Sequence, residues 1–265
     1  MTEPPTPLPV TPHDAPDPVA PPLAGPRSMR QQWLDITFVH WAVEPELVAP
    51  LLPAGTRPDT IGGATYVGLI PFRMVGAGFG AGPAVPWLGT FLETNVRFYS
   101  VDDQGRRGVV FGSLEASRLL VSLAARAVFG TPYTWARMRC AHDGDRLEYG
   151  SVRRWPAPRG ARSRMVVEVG EAVAEPGPLE HFLTARYGLH TRMLGRTRWV
   201  ANEHEPWPLR RATLLDLDDE LLAAAGFPSL ADRAPDSVLH SAGTATAFGM
   251  PRSLGRRPGA RALAR

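Results

Sequence analysis

Glu93, Asn95 and Arg97 occupy alternate positions in TFLETNVRFYSV, residues 90 to 101. An extended strand turns successive side chains to opposite faces. A carboxylate, a carboxamide and a guanidinium therefore share one face with Tyr99, while Leu92, Thr94, Val96 and Phe98 share the other. A carboxylate can give or take a proton, and an arginine on the same face can hold an anion. Two readings stay open. On a solvated strand, Glu93 and Arg97 form a surface ion pair worth little. On a strand of a closed sheet they face an internal cavity, where burial raises the carboxyl pKa into the range of acid–base work. A second stretch, FGTPYTWARM (129 to 138), breaks at Gly130 and Pro132 and then presents Tyr133, Thr134 and one arginine, Arg137. Tyr133 is a candidate proton donor or oxyanion stabiliser. Arg73, in ATYVGLIPFRMV, and Arg118, in ASRLLVSLAARAVFG, are further candidate contacts for an anion.

Other motifs carry less. GAGFGAG (76 to 82) lacks the Lys-Ser/Thr ending and the strand–helix setting of a phosphate loop, so a mobile loop, or a lid, is expected there. The segment HEPW places one histidine beside a carboxylate, without HxH or HExxH, so no metal site is expected. Ser113 and Ser117 lack the GxSxG elbow of hydrolases. Cys140, the one cysteine, excludes an internal disulfide and reads as a small buried apolar residue. Nothing calls for a cofactor.

The elements that would position these groups are short. WLDITFVHWAV, ATYVGLIPFRMV, TFLETNVRFYSV, VVFGSLEA, YTWARMRCAHD, RLEYGSVRRW and SRMVVEVGEAV read as strands, being rich in aromatic and β-branched residues. DDQGRRG reads as a hairpin turn, and RTRWVANEHEPWPLRRATLLDL returns to extended structure. Helices are expected over 116 to 130, over 177 to 187, in DDELLAAAGFP, and briefly after Glu44, where Pro45 opens and Pro53 with Gly55 closes the segment. The pattern predicts an α+β chain whose mostly antiparallel, curved sheet carries flanking helices.

The chain has 265 residues, 44% of them hydrophobic and 21% charged, enough for a sizeable core. No apolar run approaches the ~18 to 20 residues of a membrane-spanning helix, and the start lacks a secretory pattern. A cytoplasmic, non-membrane protein is the expectation. All 29 basic residues are arginine, a bias that fits a GC-rich genome. The basicity is uneven: residues 249 to 265 hold five arginines and no acid, whereas the body from 27 to 248 holds 24 arginines against 23 acids. No nucleic-acid partner is expected from so balanced a body. Residues 1 to 26, with ten prolines, and the Arg-rich tail from 249 read as disordered flanks of a single domain, 27 to 248. Self-association stays open.

Five segments together, FVHWAVEPELVAPLLPAGTRPDT, VGLIPFRM, FLETNVRFY, LTARYGLH and HEPWPLRRA, resemble the YqjF-like family of the acetoacetate decarboxylase-like superfamily, over roughly residues 29 to 248. The resemblance implies a sheet closing into a barrel or cone around a small-molecule pocket. In the decarboxylases a lysine of lowered pKa forms a Schiff base with the keto acid. The matching puts that lysine at Tyr133, its neighbouring lysine at Thr134 and a pocket glutamate at Glu93. The arginine that holds the substrate carboxylate has no counterpart; His40 and Trp41 lie nearest its place. A second pocket glutamate falls near Ile70 and is missing.

With no lysine anywhere, a Schiff base on a side chain is excluded. What remains is Glu93 as acid/base, Tyr133 as proton donor, and Arg97 with Asn95, Arg73, Arg118, His40 and Trp41 as candidate ligand contacts. Such groups suit a lyase or isomerase working on a small carbonyl or carboxylate compound. The alternative is a non-catalytic protein that binds a metabolite in the same pocket. One outcome follows from the sequence alone. Incubation with acetoacetate and borohydride leaves every side chain unmodified by intact and peptide mass; a stable adduct on a side chain would refute the exclusion.

Overall fold

The computed structural model describes residues 15–121 and 130–254. Within them the chain forms thirteen strands, in order β1 (Met29–Val43), β2 (Thr56–Pro58), β3 (Thr65–Phe79), β4 (Phe91–Asp102), β5 (Arg107–Ala116), β6 (Tyr133–Asp143), β7 (Arg146–Trp155), β8 (Arg162–Ala172), β9 (Gly188–Met193), β10 (Arg196–His204), β11 (Leu209–Asp219), β12 (Ser237–Phe248) and β13 (Arg252–Ser253). Three short α-helices lie between strands: α1 (Pro45–Val48), α2 (Pro178–Thr184) and α3 (Leu221–Ala224). Among the described residues no helix is long and apolar enough to cross a membrane. Residues 119–121 are helical, and most of the helix expected over 116 to 130 lies outside the described residues.

Local chemistry sets the turns. Between β4 and β5, Asp102 Oδ1 accepts from the amides of Gln104 and Arg106 at 2.9 and 3.0 Å, and Gly105 takes the positive φ of 76° that closes the hairpin. Asp219 Oδ2 accepts from the Leu222 amide at 2.8 Å and starts α3.

The thirteen strands form one sheet, antiparallel except where β5 pairs with β6 and with β9. Strands β12, β1, β3, β4 and β5 make a continuous wall. The far edge of β5 is divided: Leu114–Ala116 take β6, and Val109 takes Leu189 of β9. The far edge of β12 is divided in the same way, between β11 at 239 to 241 and β10 at 246 to 248. Two arms, β6–β7–β8–β11 and β9–β10, thus bridge the ends of one wall, and the hydrogen-bonded pairings run in two closed circuits.

Both faces of the wall are therefore covered. On one face Val39, Leu69, Val96 and Phe98 pack with Leu147, Tyr149, Met165 and Val167 of the four-strand arm. On the other, Phe38, Ile70, Phe72 and Phe91 pack with Trp207, and Tyr99 and Val109 pack with Phe182, Leu189 and Val200.

Inside the first circuit sits a buried ion pair. Arg153 of β7 reaches Glu115 of β5 through Nε at 3.1 Å and through a terminal nitrogen at 2.5 Å, and the Thr134 hydroxyl donates to the same carboxylate. Glu115 is 0% exposed. This triad ties β5, β6 and β7 together where β6 begins, one residue from Tyr133.

Three expectations are corrected. The first residues of GAGFGAG continue β3 to Phe79, because Ala77 bonds across to Val85 and Gly89 (2.8 and 2.9 Å); a Cβ on Gly89 would sit 2.6 Å from the Ala77 carbonyl. The Pro-rich leader is laid on the body from Pro18 onward: Tyr187 donates to the Pro18 carbonyl, Arg252 to that of Ala24, and the Leu23 amide reaches Glu203 at 3.2 Å. Prolines lack N–H groups but keep carbonyls, so donors on the body hold a segment with no core of its own. The tail expected to be unfolded from 249 supplies β13, paired with Arg198–Trp199.

The ion pair generates a stability prediction. Glu115→Leu alone strands a buried guanidinium and costs about 3–5 kcal/mol, whereas adding Arg153→Met recovers most of that loss. Denaturant titration of the two single variants and the double reads the coupling; additive losses would show that the pair does not lock this joint.

Candidate active site

A cavity of about 320 Å³ opens on the wall face opposite the first circuit, lined by β1, β3, β4, β5 and β10 and by Tyr133 at the start of β6. That is a fitting size for a small organic molecule. Its walls are largely apolar, with Ile70, Phe72, Phe91, Phe111 and Leu114 among them, and Phe79 and Leu120 at exposed positions.

Glu93 is 3% exposed and lines this space. Register explains its company. Asn95 lies opposite Leu114 of β5, and Leu114 lies opposite Tyr133 of β6, so Asn95, Leu114 and Tyr133 form one row beside Glu93. The Tyr133 hydroxyl donates to Glu93 Oε2 at 2.8 Å. Burial raises the Glu93 pKa to about 8, while hydrogen bonds from Tyr133 and Asn95 oppose that rise. Burial, and then the adjacent Glu93, hold the phenol well above its ordinary value. Near neutral pH the pair is thus a protonated carboxylic acid against a phenol, with the carboxyl able to exchange its proton.

Arg97 lines the cavity four residues further along β4. Its guanidinium donates to Tyr99 Oη at 3.0 and 3.2 Å and to the Leu183 carbonyl at 2.7 Å, and it lies 5.4 Å from the Phe38 ring centre. Arg186, which sequence reasoning missed, also lines the cavity, as do Gln31, Trp33, Asn202 and His204. For the residues of β10 a signal was present. Arg186 sits in LTARYGLH, and alternation in RTRWVANEH sets Val200, Asn202 and His204 on one face. Burial holds His204 below its ordinary pKa, with Nδ1 2.8 Å from the Glu205 carbonyl.

Four expected contacts lie elsewhere. Arg73 falls between Phe72 and Met74, which face the cavity, so it points away; it pairs with Asp35 at 2.7 Å and is 46% exposed. Trp41 belongs to the opposite core and donates to the Arg233 carbonyl at 3.0 Å. His40 shares the cavity-side face but lies beneath Tyr99, 2.6 Å from its hydroxyl, where the absent side chain of Gly68 leaves room. Burial holds His40 neutral. The Arg118 guanidinium lies over the Trp87 ring at 4.2 Å, outside the lining. Among the described residues no group of three or more His, Cys, Asp or Glu is placed to hold a metal ion.

The comparisons agree with this architecture. The chain is similar to the enduracididine biosynthesis enzyme MppR complexed with pyruvate, at a TM-score of 0.59 and 15% identity over 88% of this chain and 92% of that one. It is equally similar, at a TM-score of 0.59, to an acetoacetate decarboxylase-like enzyme from Sphingomonas wittichii RW1 (15% identity, 86% and 93% covered). Acetoacetate decarboxylase from Legionella pneumophila gives a TM-score of 0.59 at 14% identity, with 89% and 92% covered. These likenesses show an acetoacetate decarboxylase-like fold. In sequence, the chain is 32% identical to YqjF of Bacillus subtilis (strain 168) over 184 residues, 69% of this chain and 76% of that protein. The profile of the DUF2071 family, described as an uncharacterised conserved protein, matches residues 30–245. With most of its length matched, this lysine-free chain belongs to the DUF2071 family and carries that family's sequence on an acetoacetate decarboxylase-like fold.

Proposed function

We propose that the protein is a lyase or isomerase acting on a small carbonyl or carboxylate compound, without Schiff-base chemistry. The observation that supports this is the Tyr133–Glu93 hydrogen bond of 2.8 Å inside an apolar cavity. Ionised Glu93 would take a proton from the carbon beside a substrate carbonyl. The electron pair left behind moves onto the carbonyl oxygen, where the Tyr133 O–H donates to the developing oxyanion. Returning the proton at another atom completes an isomerisation. In a dehydration, Glu93 instead hands its proton to the departing hydroxyl. Each step needs only a carboxyl whose pKa lies near the working pH, which burial supplies at about 8. The MppR complex with pyruvate supports a carbonyl ligand on this fold. A second reading, a metabolite-binding protein with the same cavity, draws on the lack of the amine that drives catalysis in the decarboxylases.

A thermal-shift screen of keto and hydroxy acids identifies a ligand, and Glu93→Gln then separates the readings. On the catalytic reading this variant lowers turnover by about 10²–10⁴-fold while binding survives. Turnover equal to wild type would end the role given to Glu93. Ligands that bind without ever turning over would leave the second reading standing.

The raised pKa also predicts a pH dependence with a definite sign. The folded carboxyl titrates near 8 and an ordinary glutamate at 4.5. Between those values the native chain keeps a proton that the unfolded chain has released, so stability falls as pH rises through the window. The slope from this one group approaches about 1.4 kcal/mol per pH unit. Histidines held low by burial act in the opposite sense, so the quantity to measure is the stability of wild type minus that of Glu93→Gln. That difference should fall from pH 4.5 to 8 and then level; a flat difference would mean the carboxyl ionises normally.

A further inference from the structure

The end of the cavity away from Glu93 holds more positive charge than the protein neutralises. Asp59 accepts from Arg107 at 2.8 and 3.0 Å and also from Arg186. Arg107 is 23% exposed and can be hydrated, whereas Asp59 and Arg186 are buried. Arg186 donates through Nε to the Phe182 carbonyl at 2.6 Å, but its second terminal nitrogen is buried with no hydrogen-bond partner among the described residues. Arg97 has a phenol and a carbonyl as its partners and, among the described residues, no carboxylate. Both guanidiniums lie close to the Tyr99 ring, Arg97 5.5 Å and Arg186 4.6 Å from its centre, and both residues line the cavity. Arg97 and Arg186 against Asp59 leave one positive charge in excess. A buried, incompletely bonded guanidinium is costly, and an anion accepting from it removes that cost.

The opposite end is different in kind, because Glu93 is held as a neutral acid near pH 7 and repels no anion, yet offers none of the charge that would attract one. Four residues of extended strand separate Glu93 from Arg97, about 13 Å between backbone positions. Asn95 stands midway between them, and the wall around it is otherwise largely apolar, with Ile70, Phe72 and Leu114.

We infer that the ligand is a monocarboxylic acid with an apolar alkyl or aryl body, its carboxylate on Arg186 and Arg97 and its reacting group beside Glu93 and Tyr133. The carboxylate is then the handle, and three-carbon keto acids are too short to engage both ends. This assignment rests on the same cavity as the proposed reaction and sharpens the class of substrate, and it is read by binding alone, so that it can fail while the chemistry assigned to Glu93 stands.

Calorimetric titration of the full chain with octanoate, octan-1-ol and pyruvate tests it. Octanoate should bind at least about tenfold more tightly than either of the others, since one charge-assisted hydrogen bond is worth about that factor or more. Arg97→Gln and Arg186→Lys should each weaken octanoate by about 10–100-fold and leave octan-1-ol as it was; the lysine retains the charge beside Asp59. Glu93→Gln should leave octanoate affinity unchanged. The inference is overturned if octan-1-ol or pyruvate matches octanoate, if Arg97→Gln leaves octanoate affinity intact, or if Glu93→Gln abolishes it. Should Arg186→Lys fail to fold, the three-ligand comparison and Arg97→Gln still decide.

Discussion

Alternation along a strand with both faces enclosed is the constraint on which this molecule depends. β4 belongs to a wall shared by two closed circuits of strands, so its two sets of side chains are both buried, in different surroundings. Val96 and Phe98 must be apolar because the four-strand arm packs on them. Glu93, Asn95 and Arg97 can be polar only because the other circuit encloses a cavity there. A slip of one residue would exchange the two sets, putting a carboxylate and a guanidinium into a core that has no space for them. The same rule acts at the junction with β6. Tyr133 faces the cavity, while Thr134 turns to the Glu115–Arg153 pair on the other side. The polar lock in one circuit thereby fixes the phenol in the other.

Burial also acts in opposite directions on an amine and on a carboxyl. Desolvation disfavours whichever form is charged, so it lowers the pKa of a lysine and raises that of a carboxyl. In a decarboxylase that effect yields a neutral, nucleophilic amine. In this chain burial raises Glu93 to about 8 and sets it against a phenol that stays protonated. On the reaction proposed above, burial favours proton transfer by a carboxyl, where in a lysine-based site it favours carbon–nitrogen bond formation.

Strand identity was legible because residue type and period agreed. TFLETNVRFYSV, YTWARMRCAHD and RLEYGSVRRW became β4, β6 and β7 nearly as written. The Glu93 face was legible too, though not whether it met water or a cavity, since that depends on β9 and β10, which are distant in sequence. Arg73 shows a rule applied too loosely: its neighbours Phe72 and Met74 already put it on the other face. Trp41 and His40 were chosen by linear proximity to a missing arginine, and proximity in sequence does not decide facing. Arg186 was hidden because it follows the last turn of α2, where no period governs direction. The packed part of the leader was hidden for another reason. Its order comes from donors on the body, Tyr187 and Arg252, and leaves no apolar pattern in the segment itself.

Hydrogen-bonded constellations alone would have pointed elsewhere. Ser100, His190 and Asp102 form a chain, with His190 Nδ1 2.8 Å from the serine oxygen and Nε2 3.3 Å from the carboxylate. These are the residue types of a hydrolytic triad. All three are buried, the serine oxygen is also bonded to the Gly108 carbonyl, and none of them lines the cavity, so the arrangement fastens β9 to β4. The cavity differs in what it leaves undone. Among the described residues, Gln31 Oε1, Trp33 Nε1, Asn95 Oδ1, Asn202 Oδ1 and a terminal nitrogen of Arg186 are buried without hydrogen-bond partners, and each of these residues lines the cavity. Folding seldom leaves donors and acceptors unpaired, because each costs about 1–3 kcal/mol. Such polar atoms on the wall of a cavity are what fixes the orientation of a molecule bound there, whether they reach it directly or through water.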